Sequence, residues 1–254
     1  IMNVNDLPFL PVVYLNKLVE VMHEERIQAE YILRDCGISH SILTKPEAFL
    51  SVYQVRSVVS HYLGLTVHSN AAIRYDQRLD LVTHGLFGYV FTSRLPFREM
   101  MTNIFHYLQV RFPLLAFELG NEPDFIAVRV SFKHRMQELE VFVIQAFLSS
   151  LYTLVSLITK NITLHFQSHI LGANHSVEQL LPVAIETGHS HNEIRFYATD
   201  AYHRIPQSQH TMTSAEPDPF YEHSLVVRMR AYILTRVDEG VSADEAAQYL
   251  NMSV

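Results

Sequence analysis

An uncharged segment in the middle of the chain limits the folds that are open to it. Val141–Ile158 carries no charged side chain over 18 residues. Such a segment has to be buried, either in a bilayer or in a protein core, because its apolar surface is unfavourable in water. Its polar residues recur every three or four positions: Gln145, Ser149, Thr153 and Ser156. On a helix they form one narrow polar stripe, which favours a long core helix over a membrane span.

The hydrophobic period divides the rest of the chain into helices and strands. Helical spacing dominates the first half, and Ser51 with Gln54 has the spacing of a capping box. The predicted helices cover residues 11–24, 26–36, 52–63, 80–92, 97–111, 136–159 and 175–185. Period-two alternation predicts strands at residues 114–119, 125–132, 161–166 and 192–199. We therefore expect an α+β fold, mostly helical, with a small mixed β-sheet.

Alternation also assigns residues to the two faces of this sheet. The apolar face, which the long helix is expected to cover, holds Ile126, Val128, Val130, Phe132, Ile162, Leu164, Phe166, Ile194 and Phe196. The opposite face holds Glu118, Arg129, His165, Arg195 and Tyr197. These polar side chains either meet solvent or converge on a small polar or anionic ligand. A cluster of aromatic residues precedes and enters the first strand: Tyr89, Phe91, Phe97, Phe105, Tyr107, Phe112 and Phe117. It forms either ordinary core or the apolar wall of a pocket.

Metal and enzyme chemistry have to be weighed because the chain holds 15 histidines. His165 and His169 are four apart, but on a strand that spacing is roughly 13 Å, too long for one ion. His189 and His191 lie at a predicted turn with no obvious third ligand. The sequence contains no P-loop, zinc-protease, serine-hydrolase or dinucleotide-binding motif. We therefore predict no metal, no cofactor and no enzymatic activity.

The composition describes a globular chain that is not itself suited to binding nucleic acid. Hydrophobic residues make up 48%, enough for a sizeable core, and the formal net charge is −7. Cys36 is the only cysteine, so an intramolecular disulfide is impossible and a reducing cytoplasm is the expected location. The N-terminus lacks the basic and apolar regions of a signal peptide.

The C-terminal stretch GVSADEAAQYLNMSV has the layout of a helix, a turn and a second helix start. Ser242 and Glu245 have the spacing of a capping box, and Ala246 and Leu250 lie on the apolar stripe of the first helix. Asn251 suits the turn, and Ser253 can cap a second helix. An ordinary capped surface helix is the alternative. With the preceding helix, VVRMRAYILTRVDEGVSADEAAQYLNMSV resembles the entry to the DNA-binding domain of AraC/XylS-type transcription regulators. The resemblance breaks off at Val254, within the first helix-turn-helix.

The body of the chain resembles the N-terminal regulatory domain, of arabinose-binding type, in one AraC subgroup. The segment THGLFGYVFTSRLPFREMMTNIFHYLQVRFPLL carries this resemblance, with Gly85, Gly88 and Tyr89 at its centre, and so does ETGHSHNEIRFYATDAYHRIPQ. The order of parts then implies a regulatory domain at residues 1–205, a polar linker at 206–219 and the first helices of an incomplete DNA-binding domain at 220–254.

The resemblance implies the effector-sensing part of a transcription regulator that controls genes in response to a small molecule. DNA would be bound through the remainder of the C-terminal domain, and a homodimer without membrane association is expected. The predicted effector-binding residues are Tyr89, Phe91, Phe117, Arg129, His165, Arg195 and Tyr197. The alternative is a stand-alone metabolite-binding protein or enzyme whose terminal helix packs on the body.

Overall fold

The computed structural model describes the first helices, the sheet and the long helix. It covers residues 4–6, 8–45, 48–79, 114–122, 124–136, 138–156, 159–167 and 180–197, with isolated positions 83, 101, 105, 108–109, 111–112, 199, 242, 245 and 248. Within these residues, helices and a mixed sheet confirm the α+β class. Most of the predicted helices 80–92 and 97–111 lies outside them.

Four α-helices from the first part of the chain form a helical layer. They are α1 (Val12–Glu24), α2 (Ala29–Asp35), α3 (Val52–Leu65) and α4 (Ala71–Asp76). Short 3-10 helices at Val4–Asp6 and His40–Thr44 accompany them. β1 (Pro8–Pro11) pairs antiparallel with β2 (Phe49–Ser51) in a separate small sheet. The helices bury one shared apolar cluster, so they form a single packed unit.

The helix ends in this layer have local causes. The backbone N–H of Gln54 donates to Ser51 Oγ at 3.2 Å, and that of Ser51 donates to Gln54 Oε1 at 3.0 Å. The predicted capping box is therefore confirmed at the start of α3. The prediction that a helix starts at residue 26 was wrong, because Arg26 has a left-handed φ of 59°. α2 begins only at Ala29.

The main sheet has five strands within the described residues. These are β3 (Leu115–Asn121), β4 (Phe125–Phe132), β5 (Ile162–Phe166), β6 (Ala184–Thr187) and β7 (Glu193–Tyr197). Their order is β3-β4-β7-β5-β6, with β5 and β6 parallel and every other pair antiparallel. The register aligns Val128 with Ile194, and Ile194 with Leu164, so the apolar face is assembled as predicted.

A long helix, α5 (Glu138–Val155), separates two apolar cores. On one side Leu139, Phe142 and Ala146 join the cluster of the helical layer. On the other side Phe147, Leu151 and further residues pack on the apolar face of the sheet. By length and composition α5 qualifies as a membrane span, but 61% of it is buried inside the protein, which is the position of a core helix.

Only the first half of the polar stripe of α5 is buried: Gln145 and Ser149 lie inside the protein, whereas Thr153 is exposed. Ser149 is fully buried, and the Ser150 hydroxyl donates a hydrogen bond to Asp76 at the end of α4. Small side chains let α4 and α5 approach closely at this crossing. Ser149 is therefore not available as a surface for dimerisation.

Three strands differ from the sequence-based expectation: β6 of the main sheet, and β1 and β2 of the small sheet. Residues 184 and 185 were predicted as helix but belong to β6, because Pro182 cannot continue a helix and Ile185 pairs with Leu164. β1 and β2 were not predicted at all, since strands of four and three residues are too short to show alternation.

Candidate functional site

The polar face of the sheet carries one continuous row of ionisable residues. The pairing register joins one residue from each strand, and in strand order the row is Glu118, Arg129, Glu193, His165 and Glu186. Side chains at one register position of neighbouring strands point to the same face, which is why these five come together. Four of them lie on strands that the alternation had assigned correctly.

Glu193 is the centre of this row. Its side chain is 1% exposed, and it accepts hydrogen bonds from Arg129 Nε at 2.8 Å and Arg195 Nε at 2.5 Å. Burial alone would raise the pKa of Glu193, but the hydrogen bonds from the two arginines outweigh it and the pKa is lowered. Glu122 Oε1 lies 3.5 Å and 3.6 Å from the same two guanidinium groups. Both arginines are thus held by carboxylates of the protein itself.

His165 lies beyond Glu193 and faces two further groups. Its Nδ1 is 3.3 Å from Glu193 Oε1, although without hydrogen-bond geometry, and its Nε2 is 3.8 Å from Glu186 Oε2. The His189 ring stacks on it with centroids 4.0 Å apart. Burial lowers the pKa of His165, and His189 and Arg195 act in the same direction, which favours the neutral imidazole.

The structure brings together only part of the predicted effector site. Arg129, His165 and Arg195 are neighbours on the polar face, and Tyr197 stacks on Phe125 at the end of the same face with centroids 4.9 Å apart. Phe117 lies on the opposite face. Tyr89 and Phe91 lie outside the described residues. Because the two arginines already pair with carboxylates of the protein, a ligand anion would compete with these carboxylates for the guanidinium groups.

The described members of the aromatic cluster, Phe105, Phe112 and Phe117, pack in or against the core of the sheet and α5. Phe117 stacks on Phe105 at 5.9 Å and lies 5.1 Å from Phe147 of α5, measured between ring centroids. Phe112 contacts Phe147 edge-on at 6.0 Å. These contacts fit the packing alternative for the described members of the aromatic cluster.

A cavity of about 60 Å³ lies between the helical layer and α5. Its wall is almost wholly apolar, and its polar lining comes from two tyrosines and one serine: Tyr14, Tyr75 and Ser150. The Tyr75 hydroxyl donates to the backbone oxygen of Tyr14 at 2.9 Å, and Arg111 Nε donates to the Tyr14 hydroxyl at 3.0 Å. The tyrosines are thereby fixed, and the cavity offers a preformed apolar space.

A buried carboxyl group lies directly behind this cavity. Asp76, at the end of α4, is only 4% exposed and accepts a hydrogen bond from the Ser150 hydroxyl of the cavity wall. Burial raises the pKa of Asp76 to about 7, although the hydrogen bond from Ser150 favours the ionised form. A group that is half ionised near neutral pH therefore sits at the crossing of α4 and α5.

The C-terminal segment is described at three positions. The backbone N–H of Glu245 donates to Ser242 Oγ at 3.2 Å, and that of Ser242 donates to Glu245 Oε2 at 2.9 Å. This is the reciprocal capping box expected from their spacing. The other predicted helix-turn-helix residues lie outside the described part: Ala246, Leu250, Asn251 and Ser253.

Comparison with known proteins identifies the family. The model of the arabinose-binding domain of AraC transcription regulators, an N-terminal domain, matches residues 27–205. The chain belongs to this family. Among solved structures, it is similar to the transcriptional regulator CdpR from Pseudomonas aeruginosa, with 11% sequence identity and a TM-score of 0.52 over 89% of this chain and 74% of that one. At this identity the likeness shows the fold alone. No curated protein matches.

The AraC-type domain contains groups that sequence reasoning missed. Glu193 lies two residues before Arg195 on the same face of β7, so the alternation that pointed to Arg195 also points to Glu193. Asp76 lies between Arg74 and Arg78, and so many charged side chains in a short segment usually indicate exposure to solvent. Its burial depends on contact with α5, more than sixty residues later in the chain, for which the sequence carries no local signal.

Proposed function

We propose that this chain is the effector-sensing part of an AraC-type transcription regulator, which responds to a small molecule and binds DNA through the remainder of its C-terminal domain. The observation that supports this most strongly is the family match over residues 27–205. A cytoplasmic location and a homodimer belong to the same proposal. Nothing in the described residues favours a second function over this one.

The effector is proposed to bind in the cavity between the helical layer and α5. The wall is almost wholly apolar, with Ser150 as a polar group on α5. These are the properties of small-molecule sites. An uncharged and largely apolar effector fits this lining better than an anion does. The polar face of the sheet is the weaker candidate, because its arginines are engaged by Glu193 and Glu122.

Binding in this cavity has a direct route to the rest of the domain. At about 60 Å³ the cavity is smaller than the roughly 300–1,000 Å³ of typical ligand pockets, so a larger effector has to move α4 or α5. α5 also covers the apolar face of the sheet. A ligand that binds the widened form more tightly therefore shifts the whole domain towards it, which is what a sensor requires.

A ligand screen combined with a blocked cavity tests this proposal. Uncharged small molecules are screened by thermal shift, and each hit is measured by calorimetry. Ala146 lines the cavity from α5, and Ala146→Leu adds three carbons to that space while keeping a good helix former. Thr153→Leu is the matched control, because it places a leucine at an exposed position of the same helix.

The expected result is that a hit loses at least tenfold in affinity with Ala146→Leu and keeps its affinity with Thr153→Leu. Circular dichroism verifies that both variants are folded. A hit that binds all three proteins equally would exclude the cavity as the effector site.

A further inference from the structure

Three potential metal ligands converge at the edge of the sheet. They are His165 of β5, Glu186 of β6, and His189 of the turn that follows β6. Their ligand atoms all lie within 4.8 Å of one another. In the part of the chain that the structure describes, no other set of three such residues meets this spacing.

The backbone explains why these residues meet. The parallel register places Glu186 beside His165. Gly188 then adopts a φ of 77°, a left-handed conformation that suits glycine, and the chain turns back over β5. The backbone N–H of His189 donates to the carbonyl oxygen of Phe166 at 3.0 Å, which fixes the turn. Two of the three ligands are thus held by strand pairing and the third by a hydrogen-bonded turn.

We propose that His165, Glu186 and His189 bind a divalent transition-metal ion, with Zn²⁺ the best match to two imidazoles and one carboxylate. Ligand atoms of a tetrahedral zinc site lie about 3.4 Å apart, given bonds of roughly 2.1 Å. Glu186 Oε2 is 2.8 Å from His189 Nε2 and 3.8 Å from His165 Nε2. These two distances bracket the required one, and the rings of His165 and His189 have to rotate out of their stacked arrangement so that both nitrogens point to one ion.

The second ring nitrogen of His165 supports this assignment. Metal-binding histidines almost always direct their other nitrogen to a carboxylate, a carbonyl or a water molecule. Here Nδ1 of His165 lies 3.3 Å from Glu193 Oε1. Glu193 is in turn held by Arg129 and Arg195. A modest rotation of the His165 ring would complete a hydrogen bond from Nδ1 to Glu193 while Nε2 stays near Glu186, and in the proposed site Glu193 is then a positioning residue.

A metal accounts for contacts that an ion pair alone leaves unexplained. His189 and Glu186 by themselves form an ordinary surface pair at 2.8 Å. That pair does not require a second, almost wholly buried imidazole whose Nε2 lies 3.8 Å from the same carboxylate oxygen. One cation shared by both rings and the carboxylate uses all three groups. The exposed fractions of Glu186 and His189, 57% and 31%, leave solvent access for a fourth ligand.

Zinc binding to the chain of residues 1–254 tests the proposal. After chelator treatment, Zn²⁺ is titrated in competition with a chromogenic chelator, and bound metal is counted by elemental analysis. His189→Ala and Glu186→Gln each remove a ligand at a partly exposed position. His191→Ala removes an exposed histidine two residues away and is the matched control.

We expect one zinc ion per chain in the wild type and in His191→Ala, and at least tenfold weaker binding in the two ligand variants. Glu193→Gln, which keeps the shape of the positioning residue, is expected to weaken binding by about tenfold. Cobalt bound to the wild type should give the intense visible absorption of a tetrahedral site. Absence of stoichiometric zinc in the wild type, or equal affinity in His189→Ala and His191→Ala, would overturn the proposal.

Discussion

The buried carboxyl group of Asp76 gives a quantitative test of the packing between α4 and α5. Its pKa is raised from 3.8 to about 7 by burial. At a pH between these two pKa values, the folded protein binds more protons at Asp76 than the unfolded chain does. The free energy of unfolding therefore falls as the pH rises from about 4 to about 7. This difference in pKa corresponds to a loss of about 4 kcal/mol in the free energy of unfolding, and the loss is complete above neutral pH.

Replacing Asp76 with asparagine removes this dependence and nearly preserves the side-chain shape. The free energy of unfolding of Asp76→Asn, taken relative to that of the wild type, is expected to rise by about 4 kcal/mol as the pH is raised from 4 to 8. Only the wild type has to ionise a buried group over this range. The exchange of carboxyl for amide changes hydrogen bonding by roughly the same amount at every pH. The pH dependence of the difference in unfolding free energy between the two proteins therefore reports only the ionisation of Asp76.

Urea unfolding followed by circular dichroism at pH values from 4 to 8 measures both proteins. Asp35→Asn, at an exposed position on α2, is the matched control for the loss of one negative charge. Other titrating groups are shared and cancel in the comparison. Stability curves of wild type and Asp76→Asn that run parallel across the whole range would refute the burial of an ionisable Asp76.

Three further predictions concern other parts of the molecule. Glu25 has a side chain 5% exposed and accepts hydrogen bonds from Tyr62 at 3.1 Å and Thr66 at 2.6 Å. Glu25→Ala should therefore lower the free energy of unfolding by about 2–3 kcal/mol, measured in urea, and an unchanged midpoint would contradict this. Ser149→Phe should lower stability by at least about 1–3 kcal/mol through overpacking against α4, whereas light scattering of the folded fraction should show an unaltered oligomeric state. Residues 1–254 alone should not bind DNA with sequence preference, because residues 220–254 hold three arginines against five acidic residues. A chain that carries a complete helix-turn-helix domain should bind with an affinity that falls steeply with salt in fluorescence anisotropy, and nanomolar specific binding by residues 1–254 would disprove the first expectation.

The parts of the fold with a long, regular hydrophobic period could be predicted from sequence. Period-two alternation located β3, β4, β5 and β7 and assigned their faces, because each strand has one buried side. The uncharged run identified α5 as the core helix. The short β1 and β2 could not be found, since three or four residues contain too little pattern and their pairing links distant parts of the chain.

The candidate sites were predictable only where strand alternation determines them. Arg129, His165 and Arg195 were placed on one face from sequence, and they do lie together. Strand order is not encoded locally, so the approach of His189 to His165 was missed and His191 received equal weight. Asp76 was missed for a related reason, because its burial depends on tertiary contact with α5.

A small molecule bound in this domain is expected to change the affinity of the regulator for DNA. The most direct measurement uses the polypeptide with a complete DNA-binding domain, and determines its affinity for operator DNA with and without a saturating cavity ligand. We predict a change of about 5–150-fold, and by linkage the same factor in ligand affinity when DNA is present. Equal DNA affinity in both states, at a ligand concentration shown by calorimetry to saturate the protein, would show that the ligand does not regulate DNA binding.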